Sequence, residues 1–299
     1  MPMTTPTQPA VAVSAPGYAL RKARALIGWL PVEEGALWMA GRQVHQPPTD
    51  AQRARCQRAR DAVTQRSPHL DQNGIFTPLP GEILPHIEEL RRNPTSASIL
   101  ANSGEPRLVD LSRICAAQPQ IHIEDAVARV RAVDASNLTT LAQLTLPILT
   151  EEPLPVAFDP VRNCWTLSSA NPNLRVLGHF GGPLDLQGQR IIGFGFVVSI
   201  LKSYMQVAGL AGRYFLRDGY HRAYGLLNAG ITHVPALVKD FGSFEEIALP
   251  PGMLPQAAYL GERPPMLPDY LDDVLAADTS IPVTQKMVVV QALELNSIG

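Results

Sequence analysis

The chain has 299 residues, 45% of them hydrophobic, and a formal net charge of −2. It is long enough to bury a sizeable core as one large domain or two smaller ones, and no global positive field would draw it to nucleic acid or to an anionic membrane. Cys56, Cys115 and Cys164 are odd in number, widely spaced and without a CxxC pair, which argues against a disulfide framework and a thiolate zinc site.

Residues 1–17, rich in Pro, Thr and Ala, read as a mobile leader. They carry no basic start followed by an unbroken apolar stretch, and no later window offers about 18 consecutive apolar residues. With reduced thiols, the expected location is the cytoplasm. From 18 to 146 the pattern predicts a mainly helical region. "YALRKARALIGWL" places Leu20, Ala23, Leu26, Ile27 and Leu30 at helix-face spacing. Thr49 and Asp50 cap a helix that stops before Pro68, and shorter helices are expected in "GEILPHIEELRRNP" and "IHIEDAVARVRAV". After Pro147 the character changes. "CWTLSS", "NLRVLGHF", "IIGFGFVVSIL" and "YMQVAGLAGRYFL" are rich in β-branched and aromatic residues and broken by Gly or Pro, which predicts strands of a mostly antiparallel or mixed sheet over 147–249. The last of these reads as a hairpin. Residues 250–299 form a proline-rich extension ending in "KMVVVQALEL", a strand or a docking arm. The fold class is therefore α+β.

The hairpin runs into "DGYHRAYGLLNAG", residues 218–230. Gly219 permits a tight strand-to-helix turn, Asp218 can cap exposed helix N–H groups, Ala223, Leu226 and Leu227 offer a core face, and Gly230 is placed as a left-handed helix end. "ITHVPALV" then restarts a strand. His221 and Arg222 fall in the first helical turn, where the dipole disfavours cations by up to about 1 kcal/mol each. An anion there reverses the sign, so the turn reads as a phosphate-binding corner made of N–H groups, a guanidinium and an imidazole. The bland alternative is an Asp218–Arg222 ion pair across the turn with His221 packed or solvated.

Hairpin strand, D-G-x-H-R, a short helix, Gly and a "VP" strand resemble the ParB/sulfiredoxin superfamily core over roughly residues 195–241. The resemblance implies that the turn binds nucleotide phosphates through Gly219, Tyr220, His221 and Arg222, with ATP or CTP and Mg²⁺ as the cofactor, and that His221 and Asp218 take any catalytic part. Tyr220 stands where sulfiredoxins carry a reactive cysteine, so thiol attack on a sulfinic acid is not implied. Tyr220 and His221 also depart from the G-E-R-R of ParB partition proteins, and the prolines after Phe244 leave no room for their helix-turn-helix. The string is similar as well to the DGQHR motif of proteins linked to DNA modification.

Other candidates have plainer explanations. Arg53, Arg55, Arg58, Arg60 and Arg66, against Asp50 and Asp61, give one helix a charge of +3 that would suit a phosphate backbone or simply a solvated face. His179 before two glycines marks an anion nest or a turn. Lys202 and Tyr204 precede the hairpin, Tyr220 and Tyr224 would stack on a base or fill the core, and Glu245 and Glu246 read as a solvated pair. No metal-ligating set is identified, and no P-loop, Rossmann, HExxH, GxSxG or EF-hand string is present. The expected function is binding of a nucleotide or other phosphorylated small molecule, with phosphoryl transfer or NTP hydrolysis as the activity. A nucleic-acid-associated module and a non-catalytic scaffold are the alternatives.

Overall fold

The computed structural model describes residues 20–41, 47–68, 70–131, 133–134, 137–149, 153–169, 173–200, 202–283 and 286–293. The leader expected at 1–17 lies outside them. In chain order the elements are β1 (Leu20–Ala25), α1 (Val32–Met39), α2 (Asp50–Gln65), β2 (Phe76–Thr77), α3 (Leu84–Arg92), α4 (Pro94–Ser103), β3 (Glu105–Asp110), β4 (Gln120–His122), α5 (Ile123–Val130), α6 (Leu138–Thr145), β5 (Val156–Asp159), β6 (Cys164–Ser169), β7 (Leu174–Leu186), β8 (Gln189–Ile200), β9 (Gln206–Leu210), β10 (Arg213–Asp218), α7 (Tyr220–Asn228), β11 (His233–Asp240), α8 (Phe244–Ile247), α9 (Gln256–Tyr259), β12 (Ala277–Pro282) and β13 (Lys286–Gln291). The protein is α+β. Among the described residues no helix is long and apolar enough to cross a membrane.

The first expected helix is not one. Leu20–Ala25 is a strand, followed by a single 3-10 turn at Ile27–Trp29. Two neighbours decide this: β1 pairs antiparallel with β12 along its whole length and with β4 at Ala23–Ala25. Ala23 and Ala25 are buried on one face, a period of two that the small alanines hide beneath an equally good helical spacing. Arg24 spans to Asp278 and Asp273, tying β1 to the C-terminal segment. By contrast α2 starts where expected, because Thr49 and Gln52 form a reciprocal capping box at 3.2 and 2.8 Å.

The central sheet has the order β10-β9-β11-β3-β2. β9 and β10 are joined by a two-residue turn in which Ala211 and Gly212 both have positive φ, the geometry that matches strand twist. β11 lies parallel to β9 and antiparallel to β3. The sequence boundary at 146/147 therefore runs through one continuous sheet, since β2 and β3 come from the first half and β9, β10 and β11 from the second. The C-terminal extension contributes too: β12 pairs with β1, and β13 pairs with β6 as a strand.

One large core joins these pieces. Phe215, Leu216, Ala223, Leu226, Val234 and Ala236 from the motif pack with Val109, Leu111, Ile114 and Ile121 from the first half. Each large side chain buried there is worth about 1.5–3 kcal/mol. Helix α7 closes as the sequence requires. Gly230 has φ +79°, and the N–H groups of Gly230 and Ile231 donate to the carbonyls of Leu227 and Leu226 at 2.9 Å each. Outside this core, β7 and β8 form a long two-stranded hairpin that pairs with no further strand among the described residues. His179 and its glycines sit within β7 rather than at a turn. The reversal falls at Gln187 and Gly188, both with positive φ.

Candidate functional site

The β10–α7 turn depends on Gly219. Its φ is +103°, and a Cβ there would meet Met205 Cγ at 3.1 Å, so both the conformation and the space call for glycine. Asp218 does not cap the helix as expected: no side chain among the described residues caps the amino end of α7. Its carboxylate instead takes a long 3.5 Å contact from the Ser203 hydroxyl. Tyr220 turns inward. Its hydroxyl donates to the Leu216 carbonyl and accepts from the Ala117 N–H at 2.9 Å, and burial pushes its pKa up. Tyr224 also fills the core, edge-on to Tyr270. Neither ring is presented to a base.

Arg222 answers the sequence's electrostatic puzzle in an unexpected way. The side chain is only 4% exposed. Nη1 donates to the carbonyls of Ser203 (2.6 Å), Leu144 (3.2 Å) and Thr145 (3.4 Å), while Nη2 donates to Ser203 Oγ at 3.1 Å. Leu144 and Thr145 are the last residues of α6, where the dipole welcomes a cation. A guanidinium that begins at the wrong end of α7 thus reaches the right end of α6. Burial lowers its pKa to about 10, so it stays charged at neutral pH. Arg222 makes no ion pair with Asp218 among the described residues; Ser203 stands between them. Nε is buried and has no hydrogen-bond partner among the described residues.

His221 is also unlike the expected cation. Burial, with His122 and Arg129 nearby, pushes its imidazole down to about 4. It is neutral at pH 7. Its ring stacks edge-on against His122 at 4.9 Å because α7 lies tight on α5: a Cβ on Gly225 would come within 2.6 Å of the Ala126 carbonyl. His122 Nδ1 lies 3.1 Å from Asp125 Oδ2, and Arg21 donates to both oxygens of that carboxylate at 3.0 and 3.2 Å. Burial opposes ionisation of Asp125, but the His122 hydrogen bond and the Arg21 charge outweigh it and hold its pKa below the usual carboxylate value. Donor atoms of His122, Asp125 and His221 all lie within 4.8 Å of one another, a set able to hold a metal ion.

A cavity of about 540 Å³ opens at the amino end of α7. All five residues from Asp218 to Arg222 line it, together with Arg129 from α5, Arg175 at the base of the long hairpin, Arg217, Ser103, Gln118, Asn173, Ser203 and Gln206. Four arginines face one aspartate. Arg129 and Arg175 are exposed and form no ion pair among the described residues, while Arg217 is held by Gln206 Oε1 at 3.0 Å and lies over the Phe241 ring.

The sequence located the turn but missed Arg129 and Arg175 as wall residues, since nothing local links positions so far apart, and it passed over Arg217 although it stands next to Asp218. For His122 and Asp125 a signal existed: H-x-x-D at a helix start puts both groups on one face. The other candidates lie elsewhere. Lys202 and Tyr204 do not line the cavity, Glu246 Oε2 accepts from the Gly242 N–H, and His179 packs on Phe194. Arg53, Arg55 and Arg60 of α2, and Arg66 just past its end, are bound to Glu33, the carbonyls of 273, 274 and 276, the Leu30 carbonyl and Asp269 respectively. They fasten the helix rather than forming a free track for a phosphate backbone. No protein-family model, curated protein or solved structure matches the chain.

Proposed function

We propose that the cavity at the amino end of α7 binds a phosphorylated small molecule, with a nucleotide such as ATP or CTP and its Mg²⁺ as the leading class. The observation that carries this reading is a helix amino end without a side-chain cap, facing a cavity whose charged lining is four arginines and one aspartate. Uncapped N–H groups and the dipole favour an anion there. The volume suits a ligand larger than inorganic phosphate.

The roles differ from those expected of the motif. Exposed Arg129 and Arg175 are the groups open to clamp phosphate oxygens, with Arg217 held beside them by Gln206, whereas Arg222 positions the turn and offers only its Nε. Neutral His221 donates or accepts a hydrogen bond and does not supply charge. Asp218 is the one carboxylate on the wall among the described residues, the group suited to face a phosphate-bound Mg²⁺ or to accept a proton from an acceptor hydroxyl. The resemblance to the ParB/sulfiredoxin core supports the same class of ligand. Three buried, unpaired cysteines fit a cytoplasmic setting.

Thermal unfolding with ATP, CTP and pyrophosphate, each with and without Mg²⁺, tests this directly. Binding to the folded state alone stabilises it by about 2.7 kcal/mol at a ligand concentration of 100 Kd. A shift for at least one of these probes, reduced in Arg175→Ala, is expected. No shift for any of them contradicts the proposal.

A further inference from the structure

Beside the cavity, and apart from any ion carried in with a nucleotide, stands a second constellation. His122 ends β4 and precedes α5, Asp125 lies in the first turn of α5, and His221 lies in the first turn of α7. Two helix amino ends packed side by side thereby converge two imidazoles and one carboxylate, ligands whose bonds to an ion exceed the roughly 1 kcal/mol by which each dipole end opposes a cation. We propose that His122, Asp125 and His221 bind a divalent transition-metal ion.

The geometry fits that class of ion. His122 Nδ1 and Asp125 Oδ2 are 3.1 Å apart, and two donors each about 2.1 Å from one ion subtend roughly 95° at that spacing. The third donor lies within 4.8 Å of the others, so closing the site takes a swing of His221 of about 1–2 Å. His221 Nε2 is buried with no hydrogen-bond partner among the described residues, an atom that a ligated ion would satisfy. Two nitrogens with one oxygen suit Zn²⁺, Mn²⁺, Fe²⁺ or Co²⁺, whereas Mg²⁺ and Ca²⁺ prefer oxygen donors throughout. Arg21, holding both carboxylate oxygens, acts as the outer partner that orients Asp125. Three protein ligands leave coordination positions open. Because His221 also lines the arginine-rich cavity while His122 and Asp125 do not, the ion would sit at the wall of that cavity.

The test uses full-length, chelator-stripped protein carrying no polyhistidine tag, titrated with Co²⁺ alone and followed by visible absorption. Expected is one equivalent bound with the d–d bands of a nitrogen- and oxygen-ligated ion. An outer partner is worth about 10–100-fold in affinity, so Arg21→Ala should weaken binding about tenfold and His122→Ala by more than about 100-fold. Asp125→Asn, nearly the same shape, decides the matter if His122→Ala does not fold. Since His122 is absent from the cavity wall, pyrophosphate binding should survive in His122→Ala, which separates failure of the metal site from failure of the anion site. Absence of Co²⁺ binding, or binding unchanged in Asp125→Asn and in folded His122→Ala, overturns the assignment.

Discussion

The layer around α7 and the β7–β8 hairpin are adjacent in sequence and share a taste for glycine and aromatic residues, yet they use them in opposite ways. Around α7, Phe215, Leu216, Tyr220 and Leu226 are all buried. In the hairpin, Ile192, Phe194 and Phe196 are 82%, 67% and 50% exposed. Glycines around α7 admit neighbouring backbone: Gly225 lets α5 approach and Gly219 turns the chain. Those in the hairpin admit side chains across the strand pair, Leu184 over Gly193 and Phe180 over Gly195. A two-stranded ribbon with so much exposed apolar surface leans mainly on such cross-strand contacts, with Phe194, Phe196, Val197 and Val198 also facing Leu167 and Val290, and is marginal in water. The α7 layer, by contrast, is fixed from several sides at once, and it is there that a cavity with directed charge can persist.

That contrast can be broken most sharply at Arg222. Arg222→Ala should destabilise the fold by about 3–5 kcal/mol, because it strips a buried cation from three carbonyls and the Ser203 hydroxyl. Urea unfolding is the check. A destabilisation below about 1 kcal/mol would mean that the guanidinium does not clamp α6 and is free for ligand alone.

Acidification is the next largest lever. The imidazole of His221 titrates near 4 in the folded chain against 6.5 in its ordinary state, so between those values the unfolded chain binds more protons. Stability is then full above pH 6.5 and falls as the pH drops toward 4, by at most about 3 kcal/mol. His122, Asp125, Arg129 and Arg222 face this group, and Asp125 adds its own destabilisation only at lower pH, because its carboxylate is held below the usual value. Unfolding measured in chelator should show this slope, and His221→Asn should flatten it; a wild-type curve that is flat from pH 7 to 4 would contradict the buried neutral imidazole.

Gly219→Val should cost about 1–3 kcal/mol, since a β-branched residue resists a φ of +103° and its Cβ presses on Met205. At the small end, Phe194→Ala in the hairpin should change global stability by less than about 0.5 kcal/mol. Hydrogen exchange sharpens the comparison without any mutation. Amides of α7 should open only with global unfolding, and those of β7 and β8 far sooner.

The sequence was most legible where local rules and packing agreed. Thr49 and Asp50 announced α2, Gly219 and Gly230 bracketed α7, and "VP" marked β11. It misled where a long-range partner decided the outcome. Ala23 and Ala25 satisfy helical and strand periods alike until β12 and β4 supply ladder bonds, and the glycines after His179 look like a turn although β8 keeps them in register. The site divided in the same way. Its turn is local and was readable, but Arg129 and Arg175 arrive from other elements, and no rule of spacing says that Arg222 spends its charge on the carbonyls of α6.

Isothermal calorimetry with pyrophosphate, Mg²⁺-ATP and Mg²⁺-CTP, on the wild type and on an Arg129→Ala/Arg175→Ala variant, bears most directly on the cavity. A hydrogen bond from a guanidinium to a phosphate oxygen is worth about 1.5–3 kcal/mol, so saturable one-site binding in the wild type should weaken at least roughly tenfold in the variant. Binding that is absent for all three ligands, or that is equally tight without the two arginines, would show that phosphate is not what this cavity holds.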